Sequence, residues 1–209
     1  MSLNWTAFTL GALHNNCYLI FDPQTKIAAV IDPPEAIDPL VAFIHENQLL
    51  LEKILITHAH FDHILGSKAV KDAFPSISIY LHPGDAALWQ NKGNAELFGF
   101  LAPALPQPDH WVQHEETITI GSEIVQVRHT PGHTSGHVVF YAKNEGCVFC
   151  GDLIFRRSIG RTDLSGGDFN QLIRSIEKQI FTLPSDTLLY PGHGPFTTVG
   201  EEKLGNPYI

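Results

Sequence analysis

Basic residues are scarce in this chain. Its 209 residues include 13 lysines and arginines against 22 aspartates and glutamates, so the formal charge is −9. A nucleic-acid-binding surface needs a basic patch, and the composition therefore argues against a nucleic-acid partner. Apolar runs of membrane-spanning length are also absent, and residues 1–5 lack the basic and apolar regions of a signal peptide. We therefore expect a cytoplasmic protein without a membrane partner. The sequence leaves its oligomeric state open.

Cysteine is rare as well, since the chain has only Cys17, Cys147 and Cys150. An odd number of cysteines without a signal peptide argues against a disulfide framework. Cys147 and Cys150 form a C-x-x-C pattern. However, the surrounding run is typical of a strand, in which positions three apart face opposite sides. We therefore predict that both are buried strand residues, with redox chemistry as the lesser alternative.

Apolar residues make up 44% of the chain, enough for a substantial core, and we expect one domain spanning residues 1–209. Strands are predicted at residues 7–10, 17–22, 27–32, 54–56, 77–81, 117–120, 123–129, 138–141, 146–150 and 187–190. Helices are predicted at 39–46 with Asp38 as N-cap, after His63, at 83–90, after Asp168 and at 200–204. Residues 91–110 are predicted to be a loop. This loop is either a lid or wall over a site or a surface loop packed down by its aromatic residues.

Segment 57–63 concentrates potential metal ligands, since it contains His58, His60, Asp62 and His63. It follows an apolar run and precedes apolar residues with helical spacing, which places it in a turn between a strand and a helix. His58 and His60 alternate in an extended stretch, so both rings point to one side. The side chains of Asp62 and His63 point in other directions, so they could hold a second ion beside the first. Imidazole and carboxylate ligands suit zinc, manganese or iron. The alternative is a loop of four solvated polar residues.

Three further ligand-type residues, His133, Asp152 and His193, come shortly after predicted strands and beside glycine or proline. Taken alone, each is more typical of a cap or a surface residue. Loops at strand ends are where binding sites are built, so together with segment 57–63 they supply seven ligands. We predict two divalent ions that share one bridging carboxylate, with zinc expected and iron or manganese as alternatives. His129 and His137 flank His133 and are interpreted as partners of the ligands rather than ligands.

Four motifs in a fixed order carry a family resemblance. They are Thr-His-x-His-x-Asp-His at 57–63, Pro-Gly-His at 131–133, Gly-Asp at 151–152 and Pro-Gly-His at 191–193. In this order they resemble the metallo-β-lactamase superfamily. The resemblance implies an α/β fold, a four-layer αββα sandwich whose two mixed β-sheets are covered by helices on both outer faces. It also implies how the ligands divide: His58, His60 and His133 for one metal, Asp62, His63 and His193 for the other, and Asp152 as the bridge.

Within the superfamily, segments 16–18, 160–163 and 191–195 are similar to those of single-domain glyoxalase II-like hydrolases. This likeness implies cleavage of a small-molecule thioester, S-lactoylglutathione or a similar hydroxyacylglutathione, by a hydroxide that bridges the metals. Asp62 would bind one metal and orient the hydroxide. Arg161 matches a cationic glutathione contact, although it could instead pair with Asp163 or Asp168. Phe140 falls where related enzymes have a tyrosine that touches glutathione, so it is also predicted to bind substrate.

Two other hypotheses stay open. A persulfide dioxygenase of the same superfamily would use a single iron, held here by His58, His133 and Asp152, and segment 160–163 resembles that family as well. The other hypothesis is a non-catalytic metal-binding or interaction protein. The observation against it is that every ligand position of the dinuclear set is filled.

Overall fold

Two six-stranded β-sheets form the centre of the fold. The computed structural model describes residues 2–209. The first sheet follows chain order: β1 (Asn4–Leu10), β2 (Asn15–Phe21), β3 (Ile27–Ile31), β4 (Leu50–Leu55), β5 (Ser78–Leu81) and β6 (His110–Trp111). Strands β1, β2 and β3 pair antiparallel, whereas β3 to β6 pair parallel. The first sheet is therefore mixed.

The second half of the chain builds the other sheet and a small two-stranded ribbon. Its strands are β7 (Thr117–Ile120), β8 (Glu123–His129), β9 (Val138–Ala142), β10 (Cys147–Gly151), β11 (Ile154–Phe155), β12 (Ser158–Ile159), β13 (Leu188–Pro191) and β14 (Thr197–Thr198). The sheet order is β14-β13-β10-β9-β8-β7, and β11 pairs with β12 in the ribbon. Only β10 and β13 pair parallel within this sheet, which is therefore mixed as well.

The helices are short. They are α1 (Asp38–Glu46), α2 (Phe61–Ile64), α3 (Ser67–Ala73), α4 (Ala86–Gln90), α5 (Phe169–Ser175) and α6 (Val199–Gly205). 3₁₀ turns occupy Pro83–Asp85 and Lys92–Phe98, and a π-helical turn at Ile176–Ile180 extends α5. No helix within residues 2–209 is long and apolar enough to cross a membrane.

Three apolar cores lie between four layers. Helices α1 and α3 pack on the outer face of the first sheet, a central core lies between the sheets, and α5 and α6 cover the second sheet. Strand β2 shows the consequence, because Leu19 belongs to the outer core and Ile20 to the central one. Strands buried on both faces read as continuous apolar runs. The predicted four-layer αββα sandwich is confirmed.

The two cysteines of the C-x-x-C pattern face opposite sides of β10, as predicted. Cys147 lies in the central core and Cys150 in the outer core of the second sheet. Both are free and buried. Burial raises the pKa of Cys147 to about 12 and also raises the pKa of Cys150, so both thiols stay protonated at neutral pH.

Some local predictions were wrong. Asp38 does not cap α1: Ile37 occupies the N-cap position without a side-chain hydrogen bond, and Asp38 is already helical. Its carboxylate instead lies in the first turn, where its negative charge interacts favourably with the positive end of the helix dipole. Residues 91–110 are not entirely loop, since they include the 3₁₀ turn at Lys92–Phe98 and begin β6. The ribbon β11–β12 and strand β14 were not predicted, because each is only two residues long.

Candidate metal centre

The turn after β4 brings three histidine rings together. His58 and His60 precede α2, and His133 follows β8 on the other sheet. The Nε2 atom of His133 lies 3.2 Å from Nε2 of His58 and 2.9 Å from Nδ1 of His60. All three rings are buried. These three nitrogens therefore form a compact group with the geometry to hold one cation.

A second group lies beside the first. The Nε2 atom of His193 is 3.0 Å from Oδ2 of Asp62, and Nε2 of His63 is 3.6 Å from the same oxygen. Asp62 and His63 sit in the first turn of α2, whereas His193 follows β13. His60 instead precedes this helix at its N-cap position and belongs to the first group.

Asp152 lies between the two groups. Its Oδ1 is 3.4 Å from Nε2 of His63, and its Oδ2 is 3.7 Å from Nε2 of His133 and 3.8 Å from Nε2 of His193. The turn that places it requires Gly151, which has a φ of 49° and where a Cβ would come within 2.3 Å of the Thr57 hydroxyl. The Asp152 carboxylate can therefore bridge two ions, as the resemblance implied.

Asp32, at the end of β3, fixes two of the histidines, and the sequence analysis missed it. Its carboxylate accepts hydrogen bonds from the backbone N–H of Thr57 at 2.7 Å, the Thr57 hydroxyl at 2.5 Å and Nδ1 of His63 at 2.9 Å. Since the Thr57 proton points to Asp32, its oxygen accepts from Nδ1 of His58 at 3.0 Å. Both rings therefore carry the proton on Nδ1 and aim the lone pair of Nε2 at the centre.

Backbone carbonyls orient two more rings. Nδ1 of His133 donates to the carbonyl of Arg161 at 2.8 Å, and Nδ1 of His193 donates to the carbonyl of Leu13 at 3.1 Å. A carbonyl only accepts hydrogen bonds, so Nδ1 carries the proton in both rings. Their Nε2 lone pairs face the cluster, which is the orientation that metal ligation requires.

The loop that carries His193 is fastened to β2. Asn16 donates from its side chain to the carbonyls of Pro191 and Gly194, at 3.1 and 2.8 Å. The hydroxyl of Tyr18 donates to the carbonyl of Pro191 at 2.6 Å. Both residues belong to segment 16–18, which carried part of the family resemblance. The segment therefore holds the His193 loop of the second sheet against the first sheet.

Asp85 is another positioning residue that the sequence analysis missed. Its carboxylate accepts from the backbone N–H groups of Ala59 and Gly136, at 2.9 and 2.6 Å, and from the hydroxyl of Thr134 at 2.8 Å. Ala59 lies between His58 and His60, while Thr134 directly follows His133. Asp85 thus joins the two loops of the first group. An aspartate in a short 3₁₀ turn gives no sequence signal of such a role.

The charge states of His58, His60, Asp62 and Asp152 suit cation binding. Burial, followed by repulsion from neighbouring imidazoles, lowers the pKa of His58 well below its usual range and that of His60 to about 3. Burial raises the pKa of Asp62 and Asp152, but the neighbouring histidines, His63 first, outweigh burial and lower both pKa values. Neutral imidazole and ionised carboxylate are the forms that bind metals. Burial lowers the pKa of His63 and His193, but the facing carboxylates outweigh burial and raise both pKa values, so a cation must displace a proton from these two rings.

Nε2 of His63 and Oδ1 of Asp152 are among the buried atoms that have no hydrogen-bond partner within residues 2–209. An unpaired buried polar atom is costly, and a cation between them would satisfy both. With seven ligand side chains in two groups and one shared carboxylate, the cluster fits a dinuclear site for divalent metals such as zinc, iron or manganese.

A cavity of about 330 Å³ opens beside the cluster. Ligand residues line its floor, and its walls are the apolar side chains Leu13, Phe61, Phe98 and Leu164. Phe98 comes from segment 91–110, whose Phe100 packs on Phe61 with ring centroids 4.8 Å apart. The segment therefore forms a wall of the site and is also packed down by its aromatic residues, so both alternatives describe part of it.

The two predicted substrate contacts differ. Arg161 lines the cavity, but its Nε and Nη2 also donate to the two carboxylate oxygens of Asp163, each at 2.8 Å. The placement of Phe140 at the substrate was wrong. Its side chain is 0% exposed and lies in the central core between the sheets, so it cannot touch a substrate.

Of the two histidines that flank His133, only His137 reaches a ligand. Its ring stacks on His58 with centroids 5.1 Å apart, and its Nδ1 contacts the hydroxyl of Thr130 at 2.9 Å. His129 instead stacks on His82, with centroids 4.1 Å apart. His137 therefore packs behind the cluster, whereas His129 lies outside it.

A four-layer αββα sandwich with a histidine- and aspartate-lined centre at its strand ends is the architecture of the metallo-hydrolase superfamily. The model of the metallo-beta-lactamase superfamily matches residues 10–193, and the chain belongs to this superfamily. Hydroxyacylglutathione hydrolase GloC of Haemophilus influenzae is similar to it. The two are 34% identical over 210 residues, which cover 99% of this chain and 98% of GloC.

Solved structures with the same fold are similar over nearly the whole chain. The BLEG-1 B3 metallo-beta-lactamase is 39% identical with a TM-score of 0.91, covering 98% of this chain and 99% of the other. A di-iron-bound form of TTHA1623 is 36% identical with a TM-score of 0.88, covering 98% and 100%. ETHE1 from Myxococcus xanthus is 30% identical with a TM-score of 0.83, covering 98% and 83%.

Proposed function

We propose that the protein is a metal-dependent thioester hydrolase that cleaves S-lactoylglutathione or a similar hydroxyacylglutathione. The observation that carries this proposal is the Asp152 carboxylate, which lies between two complete ligand groups at the floor of a cavity. The similarity to hydroxyacylglutathione hydrolase GloC supports the choice of substrate.

Two divalent ions would supply an acidified water and Lewis-acid polarisation of the substrate carbonyl. The residues that would hold them are His58, His60 and His133 for one ion and Asp62, His63 and His193 for the other, with Asp152 between the two groups. Asp62 lines the cavity and is the residue to which we assign the orientation of the attacking water. The backbone carbonyl of Asp62 accepts from the side chain of the buried Asn15 at 3.1 Å, which fixes its position. Its ionised carboxylate orients the attacking water and accepts its proton, so we assign the general base to Asp62.

The leaving group favours a thioester over an amide. A thiol has a pKa of about 8.5, so a thiolate leaves without prior protonation, whereas an amide nitrogen needs a general acid. Apart from the metal ligands, Arg161 is the one titratable residue that lines the cavity within residues 2–209. An arginine keeps its proton in proteins and is a poor general acid.

Steady-state kinetics tests the proposal. The metal-loaded protein should hydrolyse S-lactoylglutathione with release of glutathione. The Asp62→Asn variant keeps the shape of the side chain but loses its charge and basicity. We expect kcat to fall more than tenfold, which is more than about 1.4 kcal/mol of barrier. Asp72→Asn is the matched control, because Asp72 is exposed on α3 and pairs with Lys68. Absence of thioester hydrolysis by the metal-loaded protein would refute the proposed function.

Arg161 is proposed to bind a carboxylate of glutathione. A guanidinium grips a carboxylate with two parallel hydrogen bonds, the geometry that it forms here with the exposed Asp163. Arg161→Met should raise KM for S-lactoylglutathione and leave metal content and Tm nearly unchanged, while an uncharged thioester should react at a similar rate. Arg156→Met is the control, because Arg156 is exposed and does not line the cavity. Equal losses on both substrates, or a large fall in Tm, would make Arg161 structural.

A mononuclear-iron persulfide dioxygenase is the second candidate. His58, His133 and Asp152 could hold one iron, and the likeness to ETHE1 gives this candidate some support. The likeness to a di-iron-bound form of TTHA1623 supports iron as the metal, although with two ions rather than one. A dioxygenase with one iron leaves His63 and His193 without a role, although both converge on the same centre. Metal analysis separates the candidates. More than one ion per chain favours the hydrolase, while a limit of one iron with oxygen uptake on glutathione persulfide favours the dioxygenase.

A further inference from the structure

Large apolar side chains remain exposed at the mouth of the catalytic cavity. Leu13 is 46% exposed and Phe98 42% exposed, and both line the cavity together with the half-buried Leu164. An exposed apolar group at a binding site loses contact with water only when a ligand covers it. Because the same cavity contains the metal ligands, a substrate bound at the metal centre lies beside these side chains.

The ring of Phe98 is held in place rather than loosely attached. It stacks on Phe61, with centroids 5.3 Å apart and an interplanar angle of 29°. The 3₁₀ segment that carries it kinks at Gly93, where φ is 63° and the backbone lies so close to the ligand loop that a Cβ would come within 2.2 Å of the backbone nitrogen of Phe61. Gly99, with a φ of 79°, ends the turn directly after Phe98. The ring therefore presents a fixed apolar surface.

The polar part of the cavity offers little besides the metal ligands. Within residues 2–209, Arg161 is the one lysine or arginine that lines the cavity, and its Nε and Nη2 both donate to the carboxylate of Asp163. Charge recognition is thus confined to the edge where Arg161 lies. The remaining wall, formed by Leu13, Phe98 and Leu164, suits an apolar or aromatic group.

We propose that Phe98, with Leu13 and Leu164, binds the acyl side chain of the substrate and selects thioesters whose acyl group is aromatic or bulky and apolar. This inference rests on the proposed thioester hydrolysis and adds a substrate preference to it. An aromatic ring against Phe98 gains buried apolar area and an aromatic contact, whereas a methyl group gains little of either. Phe98 is accordingly a specificity-determining residue.

Two substrates that differ in one group test the preference. S-mandeloylglutathione carries a phenyl group where S-lactoylglutathione carries a methyl group. The metal-loaded wild-type protein should have the higher kcat/KM for the mandeloyl thioester, and Phe98→Ala should lower the mandeloyl-to-lactoyl ratio by about tenfold. Leu97→Ala is the matched control, because Leu97 is the neighbouring residue, is 81% exposed and does not line this cavity. A ratio that Phe98→Ala leaves unchanged would overturn the inference.

Binding of stable thioethers gives a readout that does not depend on turnover. By calorimetry, the metal-loaded protein should bind S-benzylglutathione about tenfold more tightly than S-methylglutathione, and Phe98→Ala should abolish most of this difference. Equal affinities for the two thioethers would refute the apolar acyl site. If the wild-type protein hydrolyses neither thioester, the proposed function fails, and the thioether comparison still decides whether this wall binds an aromatic group.

Discussion

Replacing Asp32 by asparagine tests how the protein orients its metal ligands. Asp32 accepts three hydrogen bonds, two from Thr57 and one from Nδ1 of His63. An asparagine keeps one oxygen and turns the other into an NH₂ group. If the NH₂ group faces His63, the ring must move its proton from Nδ1 to Nε2 and loses its lone pair toward the metal. If it faces the Thr57 backbone, a buried N–H loses its acceptor.

The expected loss follows from these contacts. Removing the outer partner of a metal-bound histidine lowers metal affinity by about 10- to 100-fold, which is about 1.4–2.8 kcal/mol. A buried donor without an acceptor adds about 1–3 kcal/mol to the loss of folding stability. Asp32→Asn should therefore bind the ion of the Asp62, His63 and His193 group more weakly and should also have a lower Tm. Competition with a chromophoric chelator measures the affinity, and thermal denaturation measures the stability.

Asp22 provides a matched control in the turn between β2 and β3. It is another buried aspartate that accepts several hydrogen bonds, including those from the backbone and hydroxyl of Ser122 and the hydroxyl of Thr25. Asp22→Asn should lower Tm without weakening metal binding, because none of its partners is near a ligand. Wild-type metal affinity in Asp32→Asn, or an equal loss of affinity in Asp22→Asn, would refute the orienting role of Asp32.

Three further variants test other parts of the structure. Asp85→Asn should weaken the binding of the first ion about tenfold by chelator competition, because an amide cannot accept all three hydrogen bonds that join the two loops. Phe140→Leu should lower the free energy of unfolding by about 1 kcal/mol in denaturant titrations, and a raised KM with unchanged metal content would instead place Phe140 at the substrate. Burial and the stacked His129 lower the pKa of His82 to about 4. His82 therefore takes up a proton on unfolding between pH 6.5 and pH 4, and the free energy of unfolding decreases as the pH is lowered through this range. His82→Gln should show a smaller decrease in Tm over the same range.

The candidate ligands that the sequence predicts do converge in the structure, because these residues follow a local rule. Each lies just after an apolar run that forms a strand, and glycine or proline marks the turn that places it. Asp152 after β10 and His193 after β13 illustrate this rule. The turn after a strand is encoded by neighbouring residues, so it can be predicted without knowledge of the fold.

The residues that position the ligands could not be predicted in this way. Asp32 and Asp85 act on Thr57, Ala59 and Gly136, which are 25 to 51 residues away in the chain. Such contacts depend on how strands and loops meet in space, and an aspartate after a strand is common without any such role. Only the folded structure shows which donors surround each carboxylate.

The misplacement of Phe140 has a related cause. A strand with one exposed face shows an alternation of apolar and polar residues that reveals which side chains point inward. Every residue of β9 is buried, so its sequence contains no such alternation. Whether Phe140 faces the site, the central core or the outer helices is therefore not encoded locally. Arg161 differs, because Asp163 is only two residues away and their pairing is one of the two roles that the sequence allows for this arginine.

Each ligand group takes residues from both sheets, and this gives the central core a functional consequence. The first group combines His58 and His60 from the first sheet with His133 from the second, and the second group is similarly divided. Neither sheet alone can complete a site, so the separation of the sheets sets the distances between ligands. That separation depends on side chains such as Phe140 that fill the space between the sheets. A residue that never touches substrate can therefore still determine whether two ions fit, by the volume that it occupies.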